Sequence, residues 1–213
     1  MRTLYVGNRN YSSWSMRGSL MLRQSGVACD EVVLPLDTEE GMAKIAAVSP
    51  SRRVPVLHYD GLVVWDTLAI AEFLNEIAPA AGLWPKSSAA RALARSVSAE
   101  MHSGFAELRS RMPLDVRGRH EVPMGDELRA DIARVQAIWA RCRAAHGGGG
   151  DYLFGPWCAA DAMFAPVVSR FKTYGVALPP VVREYCDAVW RWPAVASLAA
   201  DAAVEPWTLE LGV

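Results

Sequence analysis

The sequence predicts an α/β layer followed by an all-helical half, on three observations. Strand and helix patterns alternate over the first 80 residues, strand patterns stop after residue 85, and apolar residues then recur at a helical period. The expected domains are 1–80 and 86–213, joined by the short link PAAGLWPKSS, and 213 residues are enough for two compact units.

Taken in order, Thr3–Val6 is a short apolar strand that runs into the polar loop GNRNYSS. A helix follows from about Ser15 to Gly26, where the glycine supplies a C-cap. DEVVLPL holds a second strand at Glu31–Leu34, and a short helix at Glu39–Ala47 stops before Pro50. Val56–His58 and Leu62–Val64 flank Asp60-Gly61, a dipeptide suited to the positive φ of a tight hairpin turn. Ile70, Phe73, Leu74 and Ile77 then mark one face of a helix that ends before Pro79. The order is β-α-β-α-β-β-α. Beyond it, Leu93, Val97, Met101, Phe105, Leu108 and Met112 form one helical series, and Leu128, Ile132, Val135 and Trp139 another. Met163 to Phe171 and the alanine-rich run between Pro193 and Pro206 read as later helices, with Pro166 expected to kink the first.

Composition excludes several function classes. The net charge of −1, with both signs interspersed, argues against nucleic acid or an anionic membrane as the main partner. No run approaches the roughly 20 apolar residues of a membrane span, and MRTLYVG is not a secretory leader. Cys29, Cys142, Cys158 and Cys186 include no C-x-x-C pair, which fits reduced thiols in a cytoplasmic protein. His58, His102, His120 and His146 lack metal-ligand spacing, so no metal is expected. Gly147–Gly150 has neither the lysine nor the strand of a phosphate loop and reads as a connection.

Three short stretches carry the chemistry. Ser12 and Ser13 stand where the first strand hands over to the first helix, at the free N–H groups of a helix start, where a hydroxyl can donate to an anion. Either could serve only as a cap, although one serine suffices for that. Pro55 opens a strand without an N–H, which leaves the backbone of Val54 free for an extended ligand, or merely marks the strand start. Asp66 and Thr67 head the next helix and could cap it or hold a ligand carboxylate. Arg52 and Arg53 are either solvated charge or partners for a second carboxylate. Trp14, Met101, Phe105, Met112 and Trp207 are core, or else an apolar wall for a second substrate.

Together these stretches resemble the cytosolic glutathione transferases over nearly the whole chain. YSSWSMR is similar to the zeta-class S-S-C-x-x-R motif, SRRVPVL to the strand opened by a cis proline, and WDTLAIAEFL to the acidic-plus-serine segment. FGPWCAADAMFAPVV is similar to the buried capping-box segment S/T-x-x-D, with Cys158 in place of the hydroxyl residue. The resemblance implies a thioredoxin-like N-terminal domain, a helical C-terminal domain, and a homodimer. It implies glutathione as cosubstrate and a small hydrophobic electrophile as second substrate. It also implies Ser12 as the group at the sulfur with Ser13 starting the helix, Arg53, Val54, Pro55, Asp66 and Thr67 as glutathione contacts, and Arg17 as the motif arginine. Trp14 stands where the zeta class has a cysteine beside the substrate, which weighs against its isomerase reaction and leaves glutathione binding untouched. A glutathione-dependent isomerase or peroxidase and a non-catalytic binding protein remain as alternatives. A dithiol oxidoreductase lacks its C-x-x-C.

Overall fold

The computed structural model describes residues 2–211; residue 1 and residues 212–213, at the ends of the two expected domain spans, lie outside the described residues. β1 (Arg2–Val6), α1 (Ser13–Ser25), β2 (Asp30–Val33), α2 (Glu39–Val48), β3 (Val56–Tyr59), β4 (Leu62–Trp65) and α3 (Thr67–Ile77) follow the predicted order. The sheet runs β2-β1-β3-β4. β1 and β2 are parallel because the helix α1 crosses between them, whereas β3 pairs antiparallel with both β1 and β4. The β3–β4 turn places Asp60 at φ 48° and Gly61 at φ 92°, the pair of positive torsions that the dipeptide predicts. Gly26 closes α1 in the left-handed region at φ 67°.

Two elements differ from the sequence pattern for physical reasons. α1 starts at Ser13, two residues before the predicted start, because the Ser12 side chain accepts the Ser15 N–H and caps it there. On α3 the buried side chains are Thr67, Ile70, Ala71 and Leu74, while Phe73 is half-buried and Ile77 is 37% exposed. The inner face of α3 packs on α1, which turns Phe73 outward to meet Tyr59 edge-on at 5.3 Å.

After a 3-10 turn at Pro79–Ala81 the chain is helical: α4 (Ser88–Ser103), α5 (Ala106–Arg111), α6 (Asp126–His146), α7 (Ala159–Thr173), α8 (Pro180–Arg191) and α9 (Pro193–Val204). The single helical series expected from Leu93 to Met112 is two helices. α4 ends at Ser103, and Phe105 at φ 62° redirects the chain into α5. Met101, Phe105 and Met112 are core residues rather than a ligand wall. α7 is buried at every residue except Lys172 and runs through Pro166 without interruption.

Asp161 secures the start of α7. Its carboxylate accepts the N–H groups of Cys158 at 2.9 Å and Leu153 at 3.0 Å, and the Cys158 thiol faces the Asp161 N–H in return. Burial pushes the Asp161 carboxyl up to about 6 and the Cys158 thiol well above its usual range. Cys158→Ser restores the stronger hydroxyl acceptor, and we expect it to be neutral or to stabilise by about 0.5–1 kcal/mol. Denaturant midpoints measure this, and a clear loss would mean that apolar packing of the sulfur outweighs the cap.

α1 is the element common to both halves. It packs on β1 and α3 on one side and on α7 on the other. Gly18 lets α1 approach the residue that precedes β3, since a Cβ there would lie 2.9 Å from the Pro55 ring.

Candidate functional site

The start of α1, the turn before β3, the head of α3 and the end of α4 converge on a cleft of about 700 Å³. It is lined by Trp14, Ser51, Arg53, Val54, Pro55, Trp65, Asp66, Thr67, His102 and Ser103. All five residues expected to bind substrate therefore meet in one place. Arg52 does not line it; Arg53 does, from an exposed position at the rim.

Val54–Pro55 is a cis peptide bond. Among the described residues, the N–H and C=O of Val54 have no hydrogen-bond partner, as the missing donor of Pro55 led one to expect. Asp66 sits at φ 75° as the N-cap of α3, where its Oδ1 accepts the Leu68 N–H at 2.9 Å. Its Oδ2 lies 2.6 Å from His102 Nε2. Thr67 is fully buried, and its Oγ1 has no partner. An unpaired buried hydroxyl is costly unless something else meets it.

Ser12 and Ser13 do not line the cleft themselves; they flank it through Trp14. Ser12, rather than Ser13, caps α1. Its Oγ accepts the Ser15 N–H at 3.2 Å and donates to Ser15 Oγ at 2.7 Å, while Ser15 Oγ accepts the Gly7 N–H at 2.8 Å. Ser13 occupies the first helical position, and its hydroxyl has no protein partner among the described residues.

Two cations lie behind Trp14. Arg17, fully buried, places its guanidinium 4.6 Å from the indole centroid and donates from Nε to the Met163 carbonyl at 2.9 Å. Burial first, then the charges of Arg109 and Arg170, lower its pKa well below the ordinary arginine value. Arg109 lies 5.0 Å from the same ring and donates to the Gly104 and Met101 carbonyls. Their charge adds to the positive end of α1 beside the cleft. His102 closes the ring's edge at 5.0 Å. Sequence reasoning set His102 aside with the other histidines for want of metal-ligand spacing, and it passed over Arg109. Both come from the end of α4 and from α5, and no local pattern ties them to Trp14. Ser15 lay inside the quoted motif, and its i+3 offset from Ser12 was a usable capping signal.

Chemically, the cleft offers the unpaired backbone of Val54, the carboxylate of Asp66 and the starts of two helices, whose unmet N–H groups favour anions.

Residues 11–77 match the family model described as Glutathione S-transferase, N-terminal domain. Rat (Rattus norvegicus) maleylacetoacetate isomerase is 28% identical over 182 residues, which is 83% of this chain and 81% of the rat protein. A glutathione transferase homologue from Burkholderia gl BGR1, solved with bound glutathione, is 28% identical and superposes with a TM-score of 0.75 over 96% of this chain and 99% of that one. A bacterial zeta-class maleyl pyruvate isomerase, 23% identical, shares the fold with a TM-score of 0.73 over 97% and 100% of the two chains. A thioredoxin-like domain followed by a helical domain, with these relatives, defines the class: a glutathione-using enzyme. Residues 11–77 belong to the glutathione S-transferase N-terminal domain family, and the chain resembles the cytosolic glutathione transferases over nearly its whole length.

Proposed function

We propose that the protein binds glutathione across this cleft and activates its thiol at the start of α1, for attack on a small hydrophobic electrophile held against the helical half. One observation carries the reading: Val54 and Thr67, each with an unpaired hydrogen-bonding group, both line the same cleft, between two helix starts. Val54 pairs with the cysteinyl backbone, and Thr67 with the head of α3 takes the γ-glutamyl carboxylate. Asp66 takes the γ-glutamyl ammonium and shares its Oδ2 with His102. Arg53 takes the glycine carboxylate.

The sulfur then lies at the α1 terminus. A free thiol has a pKa of about 8.5, and helix N-termini lower it by a unit or more. Each unit is about 1.4 kcal/mol between protonation states. Ser12 adds a donor if its bond to Ser15 reverses. Ser15 Oγ–H then donates to Ser12 Oγ while still accepting from Gly7, and the Ser12 proton turns to the sulfur. The thiolate forms a bond to the electrophilic carbon, and the displaced group departs with the electron pair.

A second reading, glutathione-dependent isomerisation, is favoured by the relatives' names: the same thiolate adds to a double bond, the bond rotates, and the thiolate leaves. Trp14 in place of the zeta-class cysteine weighs against it. Calorimetry with glutathione, followed by turnover of a chloro-nitroaromatic against maleylacetoacetate, separates the two. Failure to bind glutathione would sink both.

We further propose a cytoplasmic homodimer. Leu62 at 55% and Ile77 at 37% exposure leave apolar side chains uncovered on β4 and α3, as does Trp65 at 45% beside the cleft, and a second copy would bury part of this surface. Sedimentation should show a species of twice 23.2 kDa. A single chain persisting at micromolar concentration would remove the dimer.

A further inference from the structure

The segment after α9 turns back over the loop between β1 and α1, and one carboxylate holds it there. Glu205 is 8% exposed although it lies outside any regular element. Its Oε1 accepts the Arg9 N–H at 2.7 Å and its Oε2 accepts the Asn10 N–H at 3.0 Å. Two successive backbone donors thus meet a single charge, which makes both bonds charge-assisted. Arg117 closes the strap, donating to the Glu205 carbonyl at 2.8 Å and the Trp207 carbonyl at 2.8 Å. Its own N–H donates to Asn10 Oδ1 at 3.0 Å. Asn10, fully buried, also donates from Nδ2 to Asp115 Oδ1 at 2.8 Å. From this pinned stretch the chain passes directly to Ser12, whose N–H donates to the Asn8 carbonyl at 2.9 Å.

We infer that Glu205 is a positioning residue for thiol activation: through the Arg9 and Asn10 amides it sets the loop that delivers Ser12 and the α1 terminus to the sulfur. Glu205 does not line the cleft, so it acts only through the loop. A loop without regular structure is the soft part of a site, and a donor misplaced by about 1 Å costs on the order of 100-fold in rate. The catalytic half of the inference rests on the glutathione reading; the strap does not.

Glu205→Gln keeps the shape but offers an NH₂ to one of the two N–H groups, so one bond becomes a donor–donor clash. The control is Asp201→Asn, since among the described residues the Asp201 carboxylate approaches only the side chains of Arg9 and Arg23, at 3.7 and 3.8 Å. Hydrogen exchange without ligand should quicken by about 10-fold at residues 9–12 and in the strap after α9 in Glu205→Gln, and nowhere else. With glutathione, its kcat should fall by about 10-fold with little change in KM, and the bound-thiol titration should move up in pH. Asp201→Asn should match the unmodified protein throughout. Exchange that is unchanged, or faster over the whole chain, would overturn the inference. So would local loosening with kcat and the thiol titration unmoved. If Glu205→Gln does not fold, Arg117→Met, which frees the strap from the other side, is read by the same criteria. Lack of glutathione binding by the unmodified protein would overturn the glutathione reading and the catalytic half alone, because the ligand-free exchange result still decides whether Glu205 holds the loop.

Discussion

Ser12→Ala is expected to lower turnover at neutral pH by about 10- to 1000-fold, the range for deleting one anion-stabilising donor. Glutathione affinity should stay nearly intact, since in the proposed binding mode the contacts at Val54, Asp66 and Thr67 do most of the holding. With a donor to the sulfur anion gone, the bound thiol's pKa rises, so less thiolate is present at neutral pH. The deficit should therefore shrink as the pH is raised through the new value. Because Ser12 also caps α1 by accepting the Ser15 N–H, the variant should lose about 1 kcal/mol of stability as well. Ser13→Ala removes no protein hydrogen bond and should leave stability unchanged, which makes it the clean comparison. Titrating the thiolate absorbance of bound glutathione decides the assignment. A shift in Ser13→Ala alone would move the role to Ser13. No shift in either would hand it to the α1 amides and the Arg17 charge.

Asp66→Ala should weaken glutathione binding by about 1.5–3 kcal/mol, the worth of a hydrogen bond to a charged group. Alanine also removes the cap on Leu68 and must adopt φ 75°, a region that suits Asn and Asp far better. Asp66→Asn keeps both the cap and the tolerated torsion while removing the charge. It gives up only the partly exposed contact to His102, so it should melt at or slightly below the native temperature and still lose most of the affinity. Calorimetry reads both variants. An unchanged dissociation constant in Asp66→Asn would place the γ-glutamyl ammonium elsewhere.

Much of the fold was written locally. Asp60-Gly61 and Gly26 specify positive torsions, and the crossing helix between Val6 and Asp30 makes β1 and β2 parallel whatever surrounds them. The cleft was legible for the same reason. Val54-Pro55 and Asp66-Thr67 sit beside strand and helix starts, where unmet backbone groups are a property of the element itself. Periodicity was less informative about direction: it marked α3 as a helix, but only its packing on α1 decided that Ala71 goes in and Ile77 stays out. The electrostatics of the site came from distant chain. His102 meets Asp66 across 36 positions, Arg17 meets the Met163 carbonyl across 146, and Glu205 meets Asn10 across 195. Sequence alone determined an α/β half, a helical half and the unmet groups at Val54 and the head of α3, because those follow from torsions and from donors missing at known positions. Tertiary structure alone decided where the Ser12 proton rests, which charges stand behind Trp14, and that the far end of the chain grips the loop before α1. Each of those depends on which surfaces pack together, and no short-range pattern encodes that.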